Sequence, residues 1–282
     1  MEAQSIDILE RIHASYYQLT AAERKVADYV LARYDQVQFM SITQLAEECG
    51  IAEATISRFC RSLKLKGFNA FKIELARRSV GPGQMSGEQP GDSVTANSQQ
   101  VGRLAVDAVH QTIELVDPRQ VRKAVQIIEK ASHVICMGTG GSMIMASECS
   151  HMFSTVTGKF FAISDSHIQM STAATMEQED VIILFSYSGA TNTGLQILEL
   201  ARARGVRTIL VTRFNKSPAA KLADVVLCCG SNEGPFQFGS VPAKIAQLVV
   251  VDILFQEYCH RNREKCEESI HNIAAALSGM HV

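Results

Sequence analysis

Three hydroxyl side chains within six residues suggest an anion-binding loop. Residues 186–191 read Ser-Tyr-Ser-Gly-Ala-Thr and follow an apolar run that is typical of a buried strand. Ser186, Ser188 and Thr191 can all point into one concavity at the start of the next helix, where hydroxyls and free backbone N–H groups donate to phosphate oxygens. We therefore predict that these three residues, with Gly189, bind a phosphorylated ligand. The alternative is that Thr191 only N-caps the helix and the serines fill turn positions.

A glycine-rich segment forms a second anion-binding loop. Residues 138–142 read Gly-Thr-Gly-Gly-Ser, between a predicted strand and a predicted helix. Gly138 and Gly140 let the backbone approach a ligand, and Ser142 adds a hydroxyl group. Met143 replaces the third glycine of a dinucleotide-binding fingerprint, and the Gly-Lys-Ser/Thr of a P-loop is absent. By itself, this loop leaves the identity of the anion open.

Residues 42–63 have the spacing of a helix-turn-helix motif. Ala46 is a small residue where two helices would cross, and Gly50 can adopt the positive φ that the turn requires. The apolar residues expected to fix the second helix to its domain are Leu45, Ile51, Ile56 and Phe59. The alternative is an ordinary helical hairpin with Gly50 as its C-cap.

The second helix of this motif would present polar and basic groups to DNA. Its exposed face is expected to carry Glu53 and the predicted DNA-binding residues Thr55, Ser57, Arg58 and Arg61. Hydroxyl groups can bond phosphates or bases, and guanidinium groups do so more strongly. Residues 58–78 hold seven basic side chains and one acid, although the net charge of the whole chain is −2. This concentration of positive charge favours DNA binding over a plain hairpin.

The elements that carry these motifs divide into two domains. Residues 81–93 hold four glycines and two prolines, so we predict a linker at 81–97 between an all-α domain, 1–80, and a second domain, 98–282. In the second domain, helical stretches alternate with β-rich runs at 134–137, 159–163, 181–185, 208–212 and 225–228. This alternation predicts a doubly wound α/β domain with a five-stranded parallel sheet.

Composition excludes several classes of protein. With 46% hydrophobic and 20% charged residues, the chain has ordinary globular usage, and its eight cysteines form no C-x-x-C pair. We therefore predict no metal site and no cofactor. No apolar stretch reaches the roughly 18 residues of a membrane span, and the first residues include acids where a secretory signal would carry Lys or Arg. We expect a cytoplasmic protein without a membrane partner.

The two loops together resemble the sugar isomerase (SIS) domain, whose S-x-S-G-x-T loop holds a sugar phosphate. Residues 41–72 resemble the helix-turn-helix of the RpiR family of bacterial transcription regulators, which joins the two modules in this order. The resemblance implies a DNA-binding regulator, often a repressor of sugar-catabolism genes, that senses a phosphosugar. It adds Glu233 as a residue that could bond sugar hydroxyls. The chain departs from the family pattern at Gln237, where Arg is frequent, and at 243–244, where Ala-Lys replaces Ser-Arg.

Two other functions stay open at this point. A sugar-phosphate isomerase would need a base, for which Glu148, His151 and His167 are the candidates, but no convincing acid/base pair can be assembled from them and each has a structural interpretation. One such interpretation is that His167 caps a helix after Asp165. The second alternative is an adaptor whose helical arm binds protein. For the regulator, the expected partners are a double-stranded DNA operator, a phosphosugar effector and a second copy of the chain, as a homodimer or homotetramer.

Overall fold

The computed structural model describes residues 7–79, 93–231 and 240–278. The chain forms two compact units that divide at Arg103, within helix α6 (Ser93–Leu115). Because α6 begins at Ser93, residues 93–97 are helical, whereas the sequence predicts that they belong to the linker. The preceding linker residues, 81–92, lie outside the described residues, as does Glu233. The domain boundaries themselves stay a prediction.

The N-terminal unit is helical, as predicted. Its described residues form α1 (Ile8–Ser15), α2 (Ala21–Val37), α3 (Ile42–Cys49), α4 (Glu53–Ser62) and α5 (Phe68–Ser79). Thr20 and Ser41 start α2 and α3 with reciprocal capping boxes, in which the side chain three residues later bonds back to the cap. Phe59 and Phe71, both fully buried, meet edge-to-face with centroids 5.5 Å apart at the centre of the core.

The C-terminal unit alternates strands and helices. After α6 come α7 (Pro118–Lys130), β1 (Val134–Gly138), α8 (Gly141–Ser154), β2 (Phe160–Ala162), α9 (Ser166–Thr175), β3 (Val181–Phe185), α10 (Asn192–Arg204), β4 (Arg207–Thr212), β5 (Val225–Cys228), α11 (Val241–Arg261) and α12 (Arg263–Leu277). The predicted five-stranded parallel sheet is confirmed, with strand order β2-β1-β3-β4-β5.

Helices cover both faces of this sheet. Every residue of β3 is buried: Ile183 and Phe185 join a core with α7, α8 and α11, while Ile182 and Leu184 join another with α9 and α10. Burial on both faces explains why the strands read as continuous apolar runs. The chain leaves β1 toward β2 on one side and leaves β3 toward β4 on the other. A crevice therefore opens between the carboxyl ends of β1 and β3, where such sheets bind ligands.

None of the described helices is long and apolar enough to cross a bilayer. Within residues 7–79, 93–231 and 240–278, no group of three or more His, Cys, Asp or Glu side chains is arranged to hold a metal ion.

Candidate DNA-binding and effector-binding sites

Helices α3 and α4 form the predicted helix-turn-helix. Gly50 ends α3 in the left-handed region, with φ +63°, and its N–H bonds to the carbonyls of Ala46 and Glu47. Ala46 is buried, as expected for a residue at a helix crossing. Leu45, Ile56 and Phe59 are fully buried, and Ile51 packs against the same core. These contacts fix α4 firmly to the domain.

The outer face of α4 carries most of the predicted DNA-binding groups. Arg58 and Arg61 are exposed and Ser57 is half-buried. The prediction that Thr55 is exposed is wrong. Its exposed fraction is 6%, because Thr55 lies in the first turn of α4 on the side of the helix that faces the core. Its hydroxyl accepts a hydrogen bond from Arg58 Nη2 at 3.2 Å, so Thr55 orients a basic residue. Glu53 accepts a bond from Thr43 Oγ1 at 2.8 Å and links the two helices.

A buried carboxylate secures the C-terminal end of α4. Glu23, in α2, accepts hydrogen bonds from Thr20 N (2.9 Å), Thr20 Oγ1 (2.7 Å) and Ser62 Oγ (3.0 Å). Burial raises the pKa of Glu23, but these hydrogen bonds and the nearby Arg58 charge outweigh it, so the pKa lies below its ordinary value. The ionised carboxylate therefore stabilises the position of α4.

The two predicted anion-binding loops begin side by side in the C-terminal unit. Gly138, the last residue of β1, is paired with Phe185, the last residue of β3. The loops that follow, 138–142 and 186–191, therefore both open at the crevice between these strands.

The Thr191 hydroxyl faces Ser186 and does not cap α10. Thr191 occupies the N-cap of α10, yet its side chain makes no cap hydrogen bond and instead lies 3.4 Å from Ser186 Oγ. Ser186 is buried, and Ser188 is half-buried with its Oγ accepting from Ala190 N at 3.3 Å. Gly140, the N-cap of α8, has no side chain to make such a bond. In α8, Ser142 N and Met143 N already bond to Thr139 O and Gly140 O, each at 3.1 Å. The first turn of α10, which the Thr191 side chain does not cap, can donate N–H groups to an anion.

Glycines in these loops are required by packing. A Cβ on Gly138 would lie 3.0 Å from the carbonyl of Ser142 and 3.1 Å from Phe185 O. Gly189 has φ +59°, and a Cβ there would lie 2.1 Å from Ser217 Oγ. The sequence predicts only ligand approach for Gly138, whereas the structure adds close contact between neighbouring segments at Gly138 and Gly189.

Sequence reasoning missed Gln169, a fully buried residue of α9. Its Nε2 donates to Gly138 O at 2.8 Å and to Ile163 O at 2.7 Å, so it holds together the carboxyl ends of β1 and β2. Its Oε1 is buried and has no hydrogen-bond partner among the residues that the structure describes. The one signal for Gln169 was an amide among apolar and small residues after a short strand, which is too general to identify its role.

The predicted isomerase bases are placed as follows. Glu148 Oε1 and His151 Nδ1 lie 3.8 Å apart on α8. At a rise of about 1.5 Å per residue, these two residues are about 10 and 15 Å along the helix axis from its start at Gly141. They are therefore remote from the N–H groups at the opening of the helix. His167 is exposed, and the interpretation of it as a cap is wrong, because Asp165 caps α9 and accepts from its N–H at 2.9 Å.

Two family models match the chain in the order that the motifs predict. Residues 6–80 match a helix-turn-helix domain of the rpiR family, and residues 127–256 match the SIS domain. A transcriptional regulator of the HTH type from Caldanaerobacter subterraneus is 31% identical over 278 residues, covering 96% of this chain and 97% of the relative. The HTH-type regulator HexR of Escherichia coli is 26% identical over 274 residues, covering 96% and 94%.

Of two similar solved structures, one matches nearly the whole chain and the other matches its C-terminal part. The NanR protein of Vibrio vulnificus, in complex with ManNAc-6P, has a TM-score of 0.87 and 26% identity, covering 98% of this chain and 100% of that one. The sugar isomerase domain of an RpiR transcription factor from Sphaerobacter thermophilus has a TM-score of 0.56 and 23% identity, covering 63% and 98%. The second likeness is one of fold alone.

Proposed function

Because the chain belongs to the RpiR family of HTH-type transcriptional regulators, we propose that it is a repressor of sugar-metabolism genes whose SIS domain binds a phosphorylated sugar. Its action as a transcriptional regulator, and not as an enzyme, follows from the family. The phosphosugar, the sign of regulation and the residues involved are the proposal. A repressor acts where its operator is, so the proposed location is the cytoplasm.

The observation that carries the effector proposal is the paired loops at the sheet crevice. Ser142, Ser186, Ser188 and Thr191 supply hydroxyls, the start of α10 supplies N–H groups, and both α8 and α10 begin at the crevice with their positive dipole ends. Such a site suits a phosphate group that must bind and leave, because neither loop, 138–142 or 186–191, contains a lysine or an arginine. Gly138, Gly140 and Gly189 shape the loops, and Glu233 is proposed to bond sugar hydroxyls.

The nature of the sugar is proposed from one relative. NanR of Vibrio vulnificus, which this chain matches along nearly its full length, is solved with ManNAc-6P. We therefore take ManNAc-6P as the first ligand to test. A thermal-shift comparison of ManNAc-6P with the same sugar lacking phosphate is the direct experiment, since a ligand at 100 times its dissociation constant adds about 2.7 kcal/mol of stability. A shift from both sugars alike, or from no member of a phosphosugar panel, would contradict the proposal.

For operator binding, we propose that Arg58, Arg61 and Ser57 contact DNA and that Thr55 holds Arg58 in place. A homodimer, or a homotetramer built from two dimers, would place recognition helices on half-sites about 34 Å apart. Selection of binding sequences from random double-stranded DNA tests this. Selected sites should contain two inverted half-sites about 10 base pairs apart, and a single unpaired half-site would argue against a dimer on DNA.

A further inference from the structure

Helix α6 rests on the C-terminal unit through a small patch. Of the side chains of α6 that the structure describes, Ala108 and Thr112 are the buried ones, at 1% and 0% exposure. The chain divides into its two units at Arg103 within the same helix. A change at the Ala108–Thr112 patch would therefore act directly on the helix that connects the two units.

Thr112 fixes the patch to the segment that follows β5. Its Oγ1 donates to Ala108 O at 2.6 Å in its own helix and accepts the Gly230 N–H at 3.0 Å. A Cβ on Gly230 would lie 2.4 Å from the carbonyl carbon of Gln111 and 2.6 Å from Thr112 N. The two backbones thus touch, and a displacement of Gly230 cannot be absorbed by a flexible side chain.

Ser231, which follows Gly230, is hydrogen-bonded to the effector loop. Ser231 O accepts from Tyr187 Oη at 2.5 Å and from Arg213 Nε at 3.0 Å. Tyr187 stands between Ser186 and Ser188, and its own carbonyl accepts from Arg213 N at 3.0 Å. Two hydrogen bonds, joined by the backbone between Gly230 and Ser231, therefore connect the anion-binding loop to α6.

We propose that Tyr187 and Thr112 couple effector binding to the position of α6. This inference rests on the proposed function of the SIS domain. When the loop closes on a phosphate, the backbone on either side of Tyr187 moves, and its hydroxyl carries the movement to Ser231. Gly230 then shifts against α6, so the ligand favours one arrangement of that helix over another. Tyr187 and Thr112 are positioning residues in this scheme, and neither touches the sugar or the DNA.

The test measures coupling in the full-length protein as the ratio of operator Kd with and without ManNAc-6P, or with the phosphosugar that the thermal-shift screen selects. The wild-type ratio should be roughly 5–150-fold. Tyr187→Phe and Thr112→Val each remove one hydroxyl and should reduce the ratio by roughly 2- to 10-fold, the factor expected for one hydrogen bond. Thr112→Ser keeps the hydroxyl and should restore the ratio. Tyr258→Phe, at a buried tyrosine of α11, is the matched control and should leave it unchanged.

The double variant Tyr187→Phe/Thr112→Val should lose no more coupling than the stronger single variant, because both interrupt one pathway. In all variants, the operator Kd without effector should stay within about 2-fold of the wild-type value. The thermal shift that the effector produces without operator should also stay within about 2-fold of the wild-type shift. A loss of coupling changes affinity only when both ligands are bound. A wild-type ratio in Tyr187→Phe, or additive losses in the double variant, would overturn the proposal.

A second measurement separates this proposal from the proposed function. In effector-free protein, Tyr187→Phe should speed amide hydrogen exchange at Gly230 and across 104–115 by several-fold, and Tyr258→Phe should not. If wild type shows no effector response at all, the proposed function fails, and this measurement still decides the linkage. Unchanged exchange in Tyr187→Phe would refute the linkage.

Discussion

Gly189→Ala should disable the effector loop through a steric conflict that the structure defines closely. The new Cβ would lie 2.1 Å from Ser217 Oγ and 2.5 Å from Ser217 Cβ. Rotation about χ1 could move the hydroxyl but not the Cβ of Ser217. Ser217 is also fully buried, and its Oγ accepts from Ala220 N at 3.3 Å. The backbone of one segment must therefore shift.

Two costs add in this variant. Holding alanine at φ +59° costs about 1–2 kcal/mol, and forcing a methyl group into a packed site costs typically about 1–3 kcal/mol. Together they should lower the free energy of unfolding of the SIS domain by about 2–5 kcal/mol, and the shifted loop should bind its phosphosugar at least about 10-fold more weakly. Operator binding without effector should be kept.

Urea unfolding followed by circular dichroism, with calorimetric titration of the phosphosugar, measures both effects. Gly158→Ala is the matched control, because a Cβ on Gly158 would have no atom within 4 Å and the residue has no positive φ. Ser217→Gly also removes the acceptor of Ala220 N, so its effect is measured in both backgrounds: it should be less destabilising in Gly189→Ala than in wild type by about 1–3 kcal/mol, the packing cost. Unfolding of Gly189→Ala within about 0.5 kcal/mol of wild type, or an equal effect of Ser217→Gly in both backgrounds, would refute the reasoning.

Three further predictions follow from the two sites. Arg58→Ala should weaken operator binding and, where its partner is a phosphate, lower the slope of log K against log salt by about 1, whereas Arg202→Ala, an exposed arginine of α10, should do neither. Ser188→Ala should weaken phosphosugar binding roughly 10-fold by calorimetry, with the exposed Ser147→Ala as control, because a hydroxyl donor to a charged group is lost. The stability of the N-terminal domain should fall as pH drops below about 4.5. The pKa of Glu23 is lower in the folded state than in the unfolded state, so folding favours the ionised carboxylate. This stabilisation is fully present above the unfolded-state pKa and is lost as the pH falls through the folded-state pKa. Urea midpoints between pH 7 and 3 should therefore depend less on pH in Glu23→Gln, and equal dependence would contradict the role of this carboxylate.

The sequence predicted what depends on local pattern. Apolar runs bounded by loops located the strands, because strands buried on both faces leave a continuous signal. The helix-turn-helix was also predictable from a local pattern, which consists of Gly50 and the apolar residues around it. The exposure of Thr55 was mispredicted because successive residues of a helix point about 100° apart. A position that differs by one residue can therefore face the solvent and not the core.

Contacts across long separations were beyond such reasoning. The bond between Thr112 and Gly230 joins residues 118 positions apart, and Gln169 donates to the last carbonyl of β1 and to the carbonyl that follows β2. Neither has a local pattern, since a threonine in a helix and a glycine after a strand each occur for many reasons. The Thr191 hydroxyl is a related case: its sequence position suits an N-cap, and only the structure distinguishes this from a group that faces Ser186.

The central claim is that a phosphosugar in the crevice between β1 and β3 controls operator binding by the same chain. The most direct measurement is the operator Kd of full-length protein, titrated with a phosphosugar and with its unphosphorylated counterpart, in wild type and Ser188→Ala. We expect the phosphosugar alone to change the wild-type Kd, by roughly 5–150-fold, and Ser188→Ala to need about 10-fold more of it. An operator Kd that responds equally to both sugars, or a response unaltered in Ser188→Ala, would contradict it.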